Sequence, residues 1–252
     1  METSERRKLI ENLINEKKEI EISELNGMFD VSKVSVRNDL IYLEKKGAIK
    51  RSFGKVLLPE KFNVSIGNEK ITNLKEKEAI GRFAASLIKD GDSVLFYAGT
   101  TTQQIIKFIN PDLKFVAVTN SINIAYSLRA FVNVSIVMIG GKMNHQNGVV
   151  YGLQAINQIK EYNIDKLFLA VDGIDANIGI TNNQPFESDI NNVIIEHSKY
   201  IAVVADHTKI GSVSFIKMGD IGEVDLIITD SKVTREQLDA FREKKLEIVV
   251  AK

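Results

Sequence analysis

Gly99, Thr100, Thr101 and Thr102 follow directly on the apolar run SVLFYA, so a buried strand leads into a small-residue turn and then a helix start. A glycine there lets the backbone come close to an anion, and three hydroxyls stand beside the free amides of a helix N-terminus. That combination suits a phosphate. The same threonines would equally serve a simpler role, with Thr100 or Thr101 capping the helix. Far along the chain DHTKIG, residues 206–211, closes another apolar run, and its Lys209 can supply the positive charge that a phosphate needs. Other apolar runs end in Asn120, in Gly140 and Gly141, in Asp172 and Gly173, in Asp206 and in Asp230. No Walker lysine follows the threonines and no G-x-G-x-x-G follows a strand, so nucleotides are poor candidates.

A phosphate cradle has the same chemistry in an enzyme as in a receptor, so catalytic groups must decide between them. Proton-transfer chemistry on a phosphate-bearing substrate takes a positioned carboxylate base and groups that stabilise the developing anion. Glu187 could act as the base, although an acid at a helix start is ordinarily a favourable dipole contact. His145, His197 and His207 lie on separate segments without metal-site spacing, and His207 alone neighbours Lys209. No Ser-His-Asp arrangement is identifiable. The chain has no cysteine, which excludes disulfides, thiolate catalysis and cysteine-based zinc sites. Neither a metal nor a cofactor is expected.

The residues around the threonines need a frame. From about Lys75 helical and extended patterns alternate. EKEAIGRFAASLI reads as a helix with Ile80, Phe83, Ala84 and Leu87 inward, and SVLFYAG, FVAVTN, VSIVMIGG, KLFLAVDG, YIAVVAD and LIITD read as strands. Continuous apolar runs alternating with helices imply an α/β domain with a parallel-rich sheet covered on both faces. Ligands in such sheets bind beyond the carboxyl ends of the strands. The candidate residues all fall at those ends.

The first sixty residues follow a different pattern. Leu9, Ile10, Leu13 and Ile14 give one helix a buried face; after the extended piece EIEI, Ser23 can cap a second helix with Leu25, Met28 and Phe29 inward. Ser32 can cap a third helix that runs to about Lys46 and stops at Gly47, packing Val36, Leu40 and Leu43 inward. Lys33, Val34, Ser35, Arg37 and Asn38 are left near its other side. Two helices joined by a tight turn, the second with polar residues exposed at its start, form a helix-turn-helix suited to the major groove of duplex DNA. AIKRSFGKVLL then reads as a wing, two short strands around Phe53 and Gly54. Lys50, Arg51 and Lys55 on it would meet phosphates. Arg37 can pair with guanine and Asn38 with adenine, and Val34 can meet a thymine methyl. The bland alternative is a three-helix module that binds protein or caps its neighbour.

Net charge is +0, which by itself argues against a nucleic-acid partner. The average hides a local excess. Between Val31 and Leu58 stand Lys33, Arg37, Lys45, Lys46, Lys50, Arg51 and Lys55, seven basic residues against only Asp39 and Glu44.

VSKVSVRNDLIYLEKKGAIKR resembles the DeoR family of bacterial repressors, whose signature runs V-S-x-x-T-I-R-R-D-L-x-x-L-E-x-x-G and then a basic residue. Ser35 stands for the threonine, Val36 for the isoleucine and Asn38 for the second arginine, and RSFGKV lacks the family's double-glycine wing tip. These departures bear on the operator sequence rather than on the fold. GTTT, TNS, GGK, YG, DGI and D-x-T-K-x-G then occur in the order of the family's C-terminal sensor domain, so the resemblance covers essentially the whole chain. It implies a fold similar to ribose-phosphate isomerase, a phosphorylated sugar as effector, two-fold symmetric operator DNA and a homodimer or homotetramer. The family carries D-S-G-T-T in the first loop, where this chain has Tyr97 and Ala98 before an intact Gly99-Thr100-Thr101. DGIDANIG resembles the isomerase loop D-G-A-D-E, with Asp172 and Asp175 in place but Ala176 where the glutamate would be, and the isomerase's glycine-rich lysine loop is missing. A sugar-phosphate isomerase-like enzyme is thus the alternative, with an incomplete catalytic set.

The 252 residues, 44% hydrophobic and 26% charged, suit a globular protein of one large and one small domain. The expected division is 1–58 as a winged helix-turn-helix, 59–73 as a linker and 74–252 as the effector-binding domain. The charged N-terminus carries no signal-peptide core, and no stretch reaches the roughly eighteen apolar residues of a membrane span. A cytoplasmic transcriptional repressor with no membrane contact is the resulting expectation.

Overall fold

A computed structural model of the chain describes residues 3–17, 19–29, 31–46, 48–52, 54–57, 71–184 and 188–252. They belong to two compact units, Met1–Ile66 and Gly67–Lys252. In the first, α1 (Thr3–Lys17) is followed by β1 (Glu19–Glu21), α2 (Ile22–Met28), α3 (Lys33–Lys45), β2 (Lys50–Ser52) and β3 (Lys55–Leu57). Ile10, Ile14, Leu25, Val36, Leu40, Leu43 and Val56 form its core. The first three residues of the piece EIEI become β1, which joins the wing as a third antiparallel strand in the order β1-β3-β2, with Ile20 opposite Val56, while Ile22 opens α2. Gly47 and Phe53 lie outside the described residues.

Three details of this unit differ from expectation. Ser23 lies inside α2 rather than at its cap, which is Glu21, and its hydroxyl donates to the Glu21 carboxylate at 3.1 Å. Met28 is exposed because Leu25 and Phe29, four apart, already occupy the inner face. Leu9 is exposed as well, since Ile10 and Ile14 are the pair that α1 buries.

The second unit opens with α4 (Leu74–Ser86), β4 (Ser93–Phe96), α5 (Thr100–Ile105), β5 (Val116–Thr119), α6 (Ile122–Leu128) and β6 (Ser135–Met138). A hairpin of β7 (Lys142–Met143) and β8 (Val150–Tyr151) leads to α7 (Leu153–Ile159) and β9 (Lys166–Ala170). Next come β10 (Gly173–Asp175), β11 (Gly179–Asn182), α8 (Ser188–Glu196), β12 (Ile201–Val204) and β13 (Ile216–Gly219). The unit closes with β14 (Leu226–Asp230), α9 (Arg235–Arg242) and β15 (Glu247–Ala251). Seven strands pair in parallel in the order β15-β14-β12-β9-β4-β5-β6. The six apolar runs read as strands all lie in this sheet, and β15 adds a seventh.

Alternate residues of each strand feed two cores. Val94 and Phe96 of β4 pack with Ile80 and Ala84 of α4 and Ile124 of α6 on one face, while Leu95 packs on the other with Ile159 of α7, Ile194 of α8 and Phe241 of α9. Phe96 and Phe168 stack with ring centres 5.7 Å apart across neighbouring strands. The chain builds outward from β4 through β5 to β6, then returns to β9 on β4's other side. The crevice between β4 and β9 is therefore the switch point at which such sheets bind ligands.

Candidate functional site

In the first unit the N-terminal half of α3 carries the residues expected to read DNA. Ser32 caps the helix, accepting from the Ser35 amide at 3.2 Å, and its hydroxyl lies 3.0 Å from that of Ser35. Lys33, Arg37 and Asn38 are exposed, and Val34 is 66% exposed while Val36 beside it is buried. Among the described residues Arg37 enters no ion pair. The inner side of the helix is fixed electrostatically. Asp39, buried, accepts from Arg6 Nε and Arg7 Nε of α1, both at 2.7 Å, so a double ion pair ties α1 to α3.

The wing cations are less free than the sequence suggests. Arg51 reaches Glu44 of α3 with Nη2 at 2.6 Å and Nε at 2.9 Å, and its backbone amide donates to the same carboxylate. Arg51, through those hydrogen bonds, holds the Glu44 carboxyl below its ordinary value. Lys55 pairs with Glu19 at 3.1 Å, and Lys46 sits 5.0 Å from the centre of the Tyr42 ring. Lys50 opens β2.

In the second unit the threonine loop lies at the switch point. Gly99 is the N-cap of α5 in extended backbone, and a Cβ on it would stand 2.3 Å from the Ala170 Cβ at the end of β9, so only glycine lets β4 and β9 close up here. None of the threonines caps α5. The capping alternative does not hold, since Gly99 is the N-cap and Thr100 lies within α5; Lys77 Nζ of α4 instead donates to the Thr100 Oγ1 at 3.0 Å. Thr101 and Thr102 are buried, and Thr102 Oγ1 has no partner among the described residues.

Lys77 is the residue that sequence reasoning missed. It is buried, and its ammonium also stands 3.6 Å from Asp206 Oδ2. Asp206, 1% exposed, takes the Thr208 amide and hydroxyl and Asn73 Nδ2 on its other oxygen. Burial pushes this carboxyl up, but the Thr208 bonds, the Lys77 charge and the Asn73 amide together hold it below its ordinary value. Lys209, the cation expected here, is 35% exposed on its side chain and lies 3.9 Å from Asp172 Oδ1.

The other strand-end residues play supporting parts. Asn120 accepts from the Ala98 amide at 3.0 Å and donates to the Val150 carbonyl, tying the threonine loop to β8. Gly140 bonds Gln158 of α7 through both its amide and its carbonyl. A Cβ on Gly141 would stand 2.9 Å from the Tyr151 carbonyl, and one on Gly173 would stand 2.5 Å from that of Ser212. Asp172 accepts from the Asn183 amide at 3.0 Å. Tyr97 is buried, and its hydroxyl donates to Asn191 Oδ1 of α8 at 2.8 Å. Asp230 accepts from the His207 amide and lies 3.1 Å from His207 Nδ1.

Among the described residues the candidate catalytic carboxylates are engaged elsewhere or absent. Asp175 spends its carboxylate on the Asn177 and Ile178 amides of its own turn, and Ala176 is buried in the core. Glu187 lies outside the described residues. Among the described residues no three His, Asp or Glu side chains are placed to hold a metal, and no helix is long and apolar enough to cross a membrane.

Residues 6–62 match the model of the DeoR-like helix-turn-helix domain and residues 72–231 that of the DeoR C terminal sensor domain. The HTH-type transcriptional repressor GlcR of Bacillus subtilis (strain 168) is 33% identical, spanning 99% of this chain and 97% of that protein. The glycerol-3-phosphate regulon repressor of Escherichia coli (strain K12) is 28% identical, with 92% of each chain covered. Among solved structures, ribose 5-phosphate isomerase A from Methanocaldococcus jannaschii aligns over 53% of this chain and 52% of that one, at 15% identity and a TM-score of 0.39.

Proposed function

Since the chain belongs to the DeoR family of transcriptional regulators, we propose that it represses a sugar-metabolism operon and is controlled by a phosphorylated sugar bound in its sensor unit. It is a regulator and not an enzyme, as are the relatives it spans almost end to end. The observation that carries the effector reading is the buried Lys77 ammonium, 3.0 Å from the Thr100 hydroxyl at the crevice between β4 and β9. A buried cation beside a hydroxyl and a close-packed glycine turn supplies the charge and the donors that a phosphate monoester needs. Lys209, more exposed and facing Asp172, is suited to the rim of the same site.

Arg37 and Asn38 read base edges from the exposed side of α3, Val34 meets a thymine methyl, and Lys33, Ser32, Ser35, Lys50 and Lys55 contact the backbone, while Arg51 is held by Glu44. A two-fold operator requires two copies of α3, hence a homodimer or homotetramer. The protein works in the cytoplasm with its operator, and residues 59–73 connect the two units; of these, 59–70 lie outside the described residues.

The test is a thermal-shift screen of the whole chain against sugar phosphates and their unphosphorylated parents, since a ligand of the folded state raises stability by mass action. Stabilisation by a phosphorylated sugar and not by its parent, followed by altered binding to an operator selected from random duplexes, is the expected result. Equal stabilisation by parent and phosphate would remove the phosphate from the reading.

A further inference from the structure

Asn73 stands at the N-cap of α4 without capping it. Its backbone is left-handed, φ 54° and ψ 41°, and its side chain makes no bond to the first amides of the helix. A capping asparagine normally has an extended backbone and accepts from the second or third helical amide. A non-glycine residue held left-handed costs free energy that its surroundings must offset. Here the side chain turns instead to the effector site, where Asn73 Nδ2 donates to Asp206 Oδ1 at 3.3 Å.

The contacts form a closed circuit. Thr100 accepts from Lys77 at 3.0 Å, Lys77 faces Asp206 Oδ2 at 3.6 Å, Asp206 holds Asn73, and the Asn73 carbonyl accepts the Lys77 amide at 3.0 Å. One ammonium thus serves both the threonine loop and a buried carboxylate. That carboxylate in turn holds the residue through which the chain enters α4. A phosphate brought to Thr100 and Lys77 would place a second anion beside Asp206, and like charges in a buried site disfavour one another.

We propose that Asp206 is the resident anion of Lys77, that an effector phosphate displaces it, and that the displaced carboxylate releases Asn73 and with it the start of α4. This rests on the phosphate reading of Thr100 and Lys77 and adds the step by which occupancy reaches the chain leading back to residues 1–66. The ligand shifts the equilibrium because its contact with the Lys77 ammonium forms fully only when Asp206 yields that charge. The left-handed backbone of Asn73 is the strained element that relaxes.

Hydrogen exchange on the full chain tests this, comparing inorganic phosphate with chloride at equal ionic strength and reading the segments 71–77 and 98–105. Asn73→Gly is the informative variant, because glycine accepts the left-handed backbone and so keeps the helix start while removing the bond. In the unaltered protein phosphate should slow exchange over 98–105 and speed it over 71–77 by about five-fold or more. In Asn73→Gly, 98–105 should be protected as before, while 71–77 should already exchange fast and respond by less than about two-fold. Protection of 98–105 with 71–77 unchanged or slowed, or a full response at 71–77 in the variant, overturns the displacement of Asp206. A lack of protection over 98–105 in the unaltered protein overturns the phosphate reading itself and the displacement with it.

Discussion

Lys77 Nζ bonds the Thr100 hydroxyl at 3.0 Å and faces the buried Asp206 carboxylate at 3.6 Å, so a single charge on α4 organises the carboxyl ends of β4 and β12. Lys77→Met should remove the stabilisation given by a sugar phosphate. It should also destabilise the unit by about 3 kcal/mol, the low end for breaking a buried pair, because the Thr208 amide and hydroxyl still bond the carboxylate. The double variant Lys77→Met, Asp206→Asn should recover most of that loss in urea unfolding and still show no ligand-induced thermal shift. A ligand shift retained in Lys77→Met would exclude this lysine from the site.

Asp206 also predicts a pH dependence. Its folded-state carboxyl is held below the ordinary value, so the unfolded chain takes up the proton first as pH falls. The stabilisation is fully present above the unfolded value of about 4 and is lost progressively as acid brings the pH down through the folded value. Asp165, lowered by Lys199 and then by Ser93, titrates in the same direction. The diagnostic quantity is therefore the difference between the unaltered protein and Asp206→Asn. Unfolding free energies measured from neutral pH into this acid range should fall less steeply in the variant, and parallel curves would contradict the argument.

Gly99 makes a steric prediction. Its replacement by alanine would set two Cβ atoms 2.3 Å apart, at Gly99 and Ala170, where neighbouring strands leave little room to shift. Gly99→Ala should cost about 1–3 kcal/mol as an overpacked contact. Gly99→Ala with Ala170→Gly should recover much of it, a coupling that a double-mutant cycle in urea reads directly. Additive losses would mean that the glycine is required for another reason.

These residues also show what a sequence makes legible. Six continuous apolar runs identified six strands of the parallel sheet because strands buried on both faces need nothing else, and Ser32 revealed the start of α3 through its own chemistry. The threonine loop was visible because small and hydroxylated residues interrupted such a run. Lys77 is hard to read from the sequence, although it lies three residues before Ile80 and seven before Ala84 on the inner face of α4. A lysine that continues an apolar stripe was the available signal. The engagement of Tyr97 with Asn191 and of Arg51 with Glu44 could not be read, since each joins positions whose proximity the tertiary fold creates. The strands β10 and β11 are hidden for a related reason: GIDANIGITN is rich in turn residues, and the further partner of β11, β13, lies far along the chain.

Arg37 and Arg51 should behave as opposites on DNA, although both are arginines in the basic segment. Arg37 is exposed on α3, so Arg37→Ala should weaken a selected operator by about 1–3 kcal/mol and leave random duplex nearly unaffected, as the loss of a base contact does. Arg51 is already neutralised by Glu44 across two short hydrogen bonds, so Arg51→Ala should change affinity little. Glu44→Gln, which frees that guanidinium for a phosphate, should tighten binding to any duplex and steepen the slope of log affinity against log salt by about one. Fluorescence anisotropy over a salt series separates the two roles. A Glu44→Gln slope equal to that of the unaltered protein would mean that Arg51 does not reach the DNA backbone even when released.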